Sequence, residues 1–570
     1  MNYKTPGVYV EEQAKFPPSV AQVETAIPAF IGYTADGPKN KPTRISSMLE
    51  YEALFGKANP EIFAVDFKDG VATATQPKVS DFKMYYAMQM YFANGGGACY
   101  IVSVGAENIY YSAVSLAELK AGLDLLKKED EPTLIVFPDL QGLVANDADV
   151  AAANTALQVA EDNKDIAFAA EAAAKAVSNA VDGADVTIAV TAAVAVANGY
   201  VITDPTDLAE VAAAQAAQAV VAAAKIAAAV TNATVITVKA AAKVVADAFN
   251  ADLTTATAIA AFAFQNADSV SDANVAAAIT DAYSLYNSAL NQAELMKDRF
   301  VIMDVLGDDV IFREEVTAKG LNYGAAYHPK LKTVLSYDFN EVDVLVTGAS
   351  GIKTLAELKL KNSELYNQAK KAIESKPVVL APSSAMAGVY AKVDSTSGVF
   401  KAPANVGLNF VEAPTVKISD REQDALNVDA TSGKSINAIR NFTGKGILVW
   451  GARTLDGNSN EWRYVSVRRF FNMVEESVKK ATERFVFEPN TANTWIRVQT
   501  MIENFLNQQW QDGALAGSKP EEAYYVSVGL NKTMSAQDIL EGRMIVEVGM
   551  AAVRPAEFIV LRFSHKLQEA

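Results

Sequence analysis

"GILVWGARTLDGNSNEWRYVSVRRF", Gly446 to Phe470, reads as a strand, a turn and the start of a helix. Ile447, Leu448 and Val449 make an apolar run of strand length, and "LDGNSNE" supplies turn residues. "RRFFNMVEESVKKATERF", from Arg468, then carries apolar residues at helical spacing. A strand passing through a turn into a helix is α/β architecture. The stretch also gathers Arg453, Arg463, Arg468 and Arg469 in a chain of net charge −17. A phosphate site would set them around a glycine-rich turn at a helix N-terminus, but Asp456 and Glu461 stand inside this turn. A nucleic-acid patch would be basic throughout, but Glu475 and Glu476 follow closely. Arg–carboxylate pairing fits better, within the chain or across a subunit boundary.

Outward from there, "NTANTWIRVQTMIENFLNQQWQDGAL" is the clearest helix. Asn490 or Asn493 is expected to cap it, Trp495, Val498, Ile502, Phe505 and Leu506 form its apolar stripe, and Gly513 ends it. Two strands follow, "GRMIVEVGMAAV" and, after Pro555, "EFIVLRFSHK". Upstream, "AIPAFIGYTADGP", "PTLIVFPDL", "LMKDRFVIMDVLG" and "AAYHPKLKTVLSYDFNEVDVLV" contain strands. "DFKMYYAMQMYFANGGGACYIVSVGA" is a helix stopped by glycines, then a buried strand. "KPVVLAPSSAMAGVYAKVDSTSGVFKAPAN" is punctuated by Pro, Gly and Ser and reads as loop with short helix. Near the start, Val8, Tyr9, Val10 and Glu11 alternate as a strand between Pro6-Gly7 and Pro17-Pro18. A lone short strand is unstable in water and must pair elsewhere.

With 570 residues, half of them apolar, the chain exceeds one core, and about three or four domains are expected. The acidic balance argues against a nucleic-acid or anionic-membrane binder. Cys99 is the only cysteine, so no intrachain disulfide or cysteine-based zinc site can form. His328 and His565 lie far apart, and no metal or other cofactor is expected. No apolar core of signal-peptide length opens the sequence, so cytoplasmic synthesis is expected. From Asn146 to Ala289 the composition shifts to Ala, Val, Asn, Asp and Thr, which favours packed helices. "VTIAVTAAVAVANGYVI" within it is long, but Ala and Thr insert weakly into membranes.

Three motifs suggest enzyme chemistry. "LVTGASGIKTL", with Tyr366 and Lys370 downstream, is similar to the glycine turn and Tyr-x-x-x-Lys pair of short-chain dehydrogenases. The turn is mid-chain, however, and Ile352 and Thr354 occupy candidate positions for the last glycine. "TSGKS" ends like a P-loop but lacks the first glycine, at Val428, and the leading strand. Asp304, closing "FVIMD", has no companion ligands, so a turn or capping role is expected.

"GVFKAPAN", "GILVWGARTL", "YVSVRRF", "VFEPN" and "RPAEFIV", preceded in order by "PGVYVEE", "IPAFIGYTADGP", "FANGGGACYIVSV", "DRFVIMDV" and "AAYHPKL", form an ordered set. By them the chain resembles the sheath proteins of contractile phage tails and related contractile injection systems. It departs from the usual pattern at "APSSAMAGVY" and at His328-Pro329-Lys330. The resemblance implies a non-enzymatic structural subunit that polymerises as helically stacked hexameric rings and contracts to drive an inner tube through a target envelope. The runner-up is an α/β dinucleotide-binding oxidoreductase.

The fold expected is a multidomain α/β (α+β) chain of mixed sheets flanked by helices, with extended terminal β-arms and a mainly helical Ala-rich insertion. Its parts are an N-terminal arm (1–20), a middle α/β region (21–145 with 290–400), an inserted outer domain (146–289), a tube-proximal C-terminal domain (401–554) and a C-terminal arm (555–570). The arm strands expected to reach neighbouring copies are Val8 to Glu11 and Phe558, Ile559, Val560, Leu561 and Phe563. The implied partners are further copies, the inner tube protein, baseplate and tail-terminator or cap proteins, and paralogous sheath subunits where a particle has them. Neither nucleic acid nor membrane insertion is implied.

Overall fold

The computed structural model describes residues 20–68, 70–76, 79–105, 114–144, 272–347, 352 and 354–558. Its main sheet has nine strands: β1 (Pro28–Gly32), β2 (Thr43–Ile45), β3 (Cys99–Ser103), β4 (Leu134–Val136), β5 (Phe300–Asp304), β6 (Gly324–His328), β7 (Val406–Gly407), β8 (Ile436–Phe442) and β9 (Gly446–Val449). Their order is β7-β9-β8-β6-β5-β4-β1-β3-β2. The six strands from β8 to β3 run parallel, and β2, β9 and β7 are antiparallel margins.

Parallel strands are covered on both faces, so their sequences are continuously apolar. Phe30, Val136, Ile302 and Tyr327 enter one core, and their neighbours Ile31, Ile135, Met303 and Ala326 enter the other. Helices α1 (Met84–Ala93) and α4 (Ser383–Ser397) cover the first face. Helices α2 (Leu116–Leu125) and α3 (Asp272–Met296) cover the second.

The α4 segment, expected as loop with a short helix, is fifteen residues of helix. Every residue from Ser383 to Tyr390 is buried, so there is no polar face and no amphipathic period to read. Its small residues permit close contact: a Cβ at Gly388 would stand 2.5 Å from the Tyr91 carbonyl oxygen of α1.

Helix α3 runs across the expected end of the Ala-rich segment at residue 289. Ile279, Ala282, Tyr283, Leu285, Tyr286 and Ala289 all lie in the second core. Replacing residues 146–271 by a short Gly-Ser linker should therefore leave a folded chain. Carrying the deletion on to Ala289 strips several large core side chains, at about 2–5 kcal/mol each, and should abolish folding. Soluble yield and circular dichroism of the two variants distinguish these outcomes.

Two buried carboxylates at the C-terminal ends of β4 and β5 hold the helices of the first face. Asp139 accepts from the backbone N–H of Tyr33, Lys83 and Met84, at the start of α1. Asp304 accepts from the N–H (2.8 Å) and hydroxyl (2.6 Å) of Ser383, the first residue of α4. The capping role expected of Asp304 is what it performs. Burial outweighs these hydrogen bonds and raises both carboxyls to about 6.

A raised carboxyl means that the folded chain binds more protons than the unfolded chain between about pH 4 and 6. These two groups therefore lower stability as pH rises through that window. Asp304→Asn can keep the contacts to Ser383 without a charge. It should hold its stability at pH 7 and flatten the wild-type slope between pH 4 and 6.5, measured as the difference between melting curves.

The C-terminal unit has its own core, built from α6 (Val465–Thr482), α7 (Ala492–Gln511) and the hairpin of β10 (Tyr524–Val528) with β11 (Val546–Met550). Val498, Ile502, Phe505 and Leu506 of the expected stripe are buried there, whereas Trp495 is half-buried. The residue at the cap of α7 is Thr491, and no side chain bonds the first turn. Asn490 instead accepts from the Trp495 indole N–H at 2.6 Å. Strand β10, unread in the sequence, is the partner of β11. Two three-stranded sheets complete the described fold.

Candidate assembly surfaces

Strand β9 leaves the main sheet at Val449 and passes through the turn to α6, bridged by Arg453 and Tyr464. The four arginines on this path do not converge. Arg453 is buried and forks onto Glu557, with Nε–Oε1 2.9 Å and Nη2–Oε2 2.7 Å. Glu557 also accepts from Asn427 Nδ2 at 2.8 Å and Tyr464 Oη at 3.0 Å. Burial alone would raise the Glu557 carboxyl, but the bonds from Arg453 and Asn427 and the Arg453 charge hold it below its usual value.

Arg463 closes its own turn, donating to the Gly457 carbonyl at 3.0 Å and to Asn460 Oδ1 at 3.2 Å. Arg468 pairs with Glu475 at 2.9 Å, bonds Asn472, and lies over the Trp462 and Tyr323 rings. Arg469 forks onto Asp394 of α4 and donates to the Thr25 carbonyl at 2.8 Å. Glu476 takes Lys479 at 3.0 Å and Lys480 at 3.5 Å rather than an arginine. Reading the sequence outward from the arginines missed Glu557 and Asp394, because neither lies within the same stretch.

The segment entering β1 ties the two units together. Val20 lies in the C-terminal core, the Val23 N–H donates to Ser477 Oγ at 3.0 Å, and Thr25 donates to Asp394 at 2.6 Å. Arg469, Asp394 and Thr25 thus join α6, α4 and the N-terminal segment at one buried point.

At the other end, Val553 N–H bonds the Ala514 carbonyl at 3.1 Å, and Glu557 is the next anchor. The described chain stops at Phe558, outside any strand and 71% exposed. It stops beside an open groove of about 870 Å³ whose walls include Phe400, Asn405, Asp424, Arg440 and Trp450. Val8 to Glu11 and Ile559 to Phe563 lie outside the described residues. The β10–β11 hairpin has no third strand among the described residues.

Among the described residues, the motifs that suggested enzyme chemistry do not come together. The parallel strands reverse direction of addition at β1, between β3 and β4, and doubly wound sheets seat ligands at such a point. Here the Asp139 carboxylate takes the N–H donors that a ligand phosphate would use. Gly32 admits it, since a Cβ there would lie 2.4 Å from Asp139 Oδ2. Val346 and Thr347 of "VTGASG" instead end a strand (Leu345–Thr347) of a separate three-stranded sheet, Gly348 to Gly351 lie outside the described residues, and Thr354 caps the next helix.

Tyr366 donates to Glu341, and Lys370 pairs with Glu374 at 3.8 Å on the helix surface. Lys434 of "TSGKS" donates to the Arg313 carbonyl. His328 is half-buried, and burial lowers its pKa. Among the described residues, no group of three or more His, Cys, Asp or Glu is placed to hold a metal, and no helix is long and apolar enough to cross a membrane.

Residues 458–566 match the phage tail sheath C-terminal domain family. A curated relative, the tail sheath protein of Vibrio phage KVP40, is 22% identical over 31% of this chain, and the match spans a quarter (25%) of that relative's length. Solved structures match almost end to end. A chain of the anti-feeding prophage baseplate is 27% identical (TM-score 0.54), with 99% of this chain and 100% of that one covered. The anti-feeding prophage helical sheath in its contracted state is 26% identical (TM-score 0.53), with 99% and 100% covered. The contracted sheath complex of an extracellular contractile injection system, PVC, is 25% identical (TM-score 0.52), with 99% of each covered. The dinucleotide-binding alternative has no such support and is set aside.

Proposed function

We propose that this chain is a structural subunit of a contractile sheath in a phage tail or tail-like injection particle. The observation that carries this reading is likeness to chains of two contracted-sheath structures over 99% of its length. Copies polymerise helically with one another and meet a baseplate. At a finer level, hexameric rings surround an inner tube, a terminator or cap closes the stack, and assembly takes place in the cytoplasm of the producing cell. The long sheath is a kinetically trapped state, and shortening exchanges one set of contacts between bodies for a larger one.

Strand addition joins the copies. Val8 to Glu11 and Phe558 to Phe563 pair with a neighbour's sheet, satisfying backbone groups that a lone strand leaves open. The β10–β11 hairpin offers edges for them. Glu475, partly exposed beside Arg468, takes a second cation from a neighbouring body. The test is electron microscopy of the purified full-length chain over a range of concentrations. A concentration-dependent tubular polymer is expected, and isolated monomers at every concentration would refute the reading.

A further inference from the structure

We propose that the Arg453–Glu557 fork is the clamp that fixes the root of the C-terminal arm and passes displacement from arm to body as the sheath shortens. The inference rests on the arm reading above. Glu557 is the last described residue with side-chain bonds, one position before the described chain ends at Phe558. It collects bonds from Arg453, Asn427 and Tyr464, three separate points of the chain: the segment leaving β9, the end of α5 (Asp420–Asn427) and the residue before α6. Arg453 is itself 3% exposed, and its guanidinium is locked by the Asn427 and Gly457 carbonyls.

The clamp converts a flexible tether into a fixed one. Upstream, the next backbone anchor is Val553. With Glu557 released, the arm would leave from Val553, and its root would swing on four more residues, about 13 Å of extended chain. With the clamp released, the strand stays joined to the body at Val553 by four residues, a short tether that keeps the effective concentration high. Strand addition therefore survives release of the clamp. Coupling of motion does not, because a neighbour can move roughly 13 Å before the body feels tension.

The paired replacement Arg453→Met with Glu557→Met removes the clamp and leaves neither charge unpaired. Sheaths of this variant should still form. After exposure to mild chaotrope they should stop part-way, giving particles with contracted and extended stretches in one sheath. Glu557→Gln, which keeps one acceptor for Arg453, should restore most of the all-or-none behaviour. Complete, wild-type contraction of the paired variant would overturn the clamp. A chain lacking residues 559–570 separates this from the parent reading: if it still builds contractile sheaths, the arm itself is dispensable. If that truncation abolishes sheaths while the paired variant contracts normally, only the clamp fails. Should the paired variant not fold, Glu557→Ala read by the same particle count decides.

Discussion

Deleting residues 1–15 should leave a folded subunit that no longer builds contractile sheath. The described body begins at Val20, so the cut spares the contacts of Val20, Val23 and Thr25 with the C-terminal unit. Melting temperature should barely move. What is lost is one donated strand from every copy. Four backbone hydrogen bonds at the low end of about 0.5 kcal/mol each amount to about 2 kcal/mol, or roughly thirtyfold in affinity per contact. In a mesh where each copy gives and receives arms, that factor recurs around every ring. Sheath counted by electron microscopy should fall below detection at wild-type concentrations. Normal numbers of contractile sheaths from the truncated chain would remove the strand-addition mesh from the mechanism.

Asp139→Ala should be the most damaging single substitution in the α/β body. It strands the backbone N–H groups of Tyr33, Lys83 and Met84 in a site with no solvent exposure. Each unsatisfied buried donor costs about 1–3 kcal/mol. Removing a carboxylate that is itself costly to bury offsets part of this. A net loss of about 3–5 kcal/mol is expected, a large share of ordinary domain stability and on the order of 10 °C in melting temperature. Asp139→Asn keeps an oxygen for Lys83 and Met84 but turns an amide towards the Tyr33 N–H, so it should cost roughly a third to a half as much. Equal melting temperatures for wild type and Asp139→Ala would show that Asp139 does not hold α1 to the sheet.

Much of the fold is legible wherever the determining information is local. β1, β3, β4 and β5 announce themselves as short apolar runs, because a parallel strand covered on both faces needs nothing else. Helices α6 and α7 show their period because each has one wet face. Helix α4 is illegible for the opposite reason: its first half, Ser383 to Tyr390, is buried on all sides and has no period, and its Ser and Gly resemble loop punctuation. The Ala-rich composition does not mark where α3 turns from insertion into core, since alanines serve both.

The sequence by itself determined the α/β class, from apolar runs and helical periods, and the sheath likeness, from motifs whose order survives although each is modest. Only the tertiary structure decided the partners of the buried charges. Arg453 meets Glu557 across 104 positions, Arg469 meets Asp394 across 75, and Asp139 caps a helix that begins 55 residues earlier. Any of the chain's many carboxylates could satisfy an arginine in sequence. Which one does so depends on where the sheet returns the chain, and no local window contains that path.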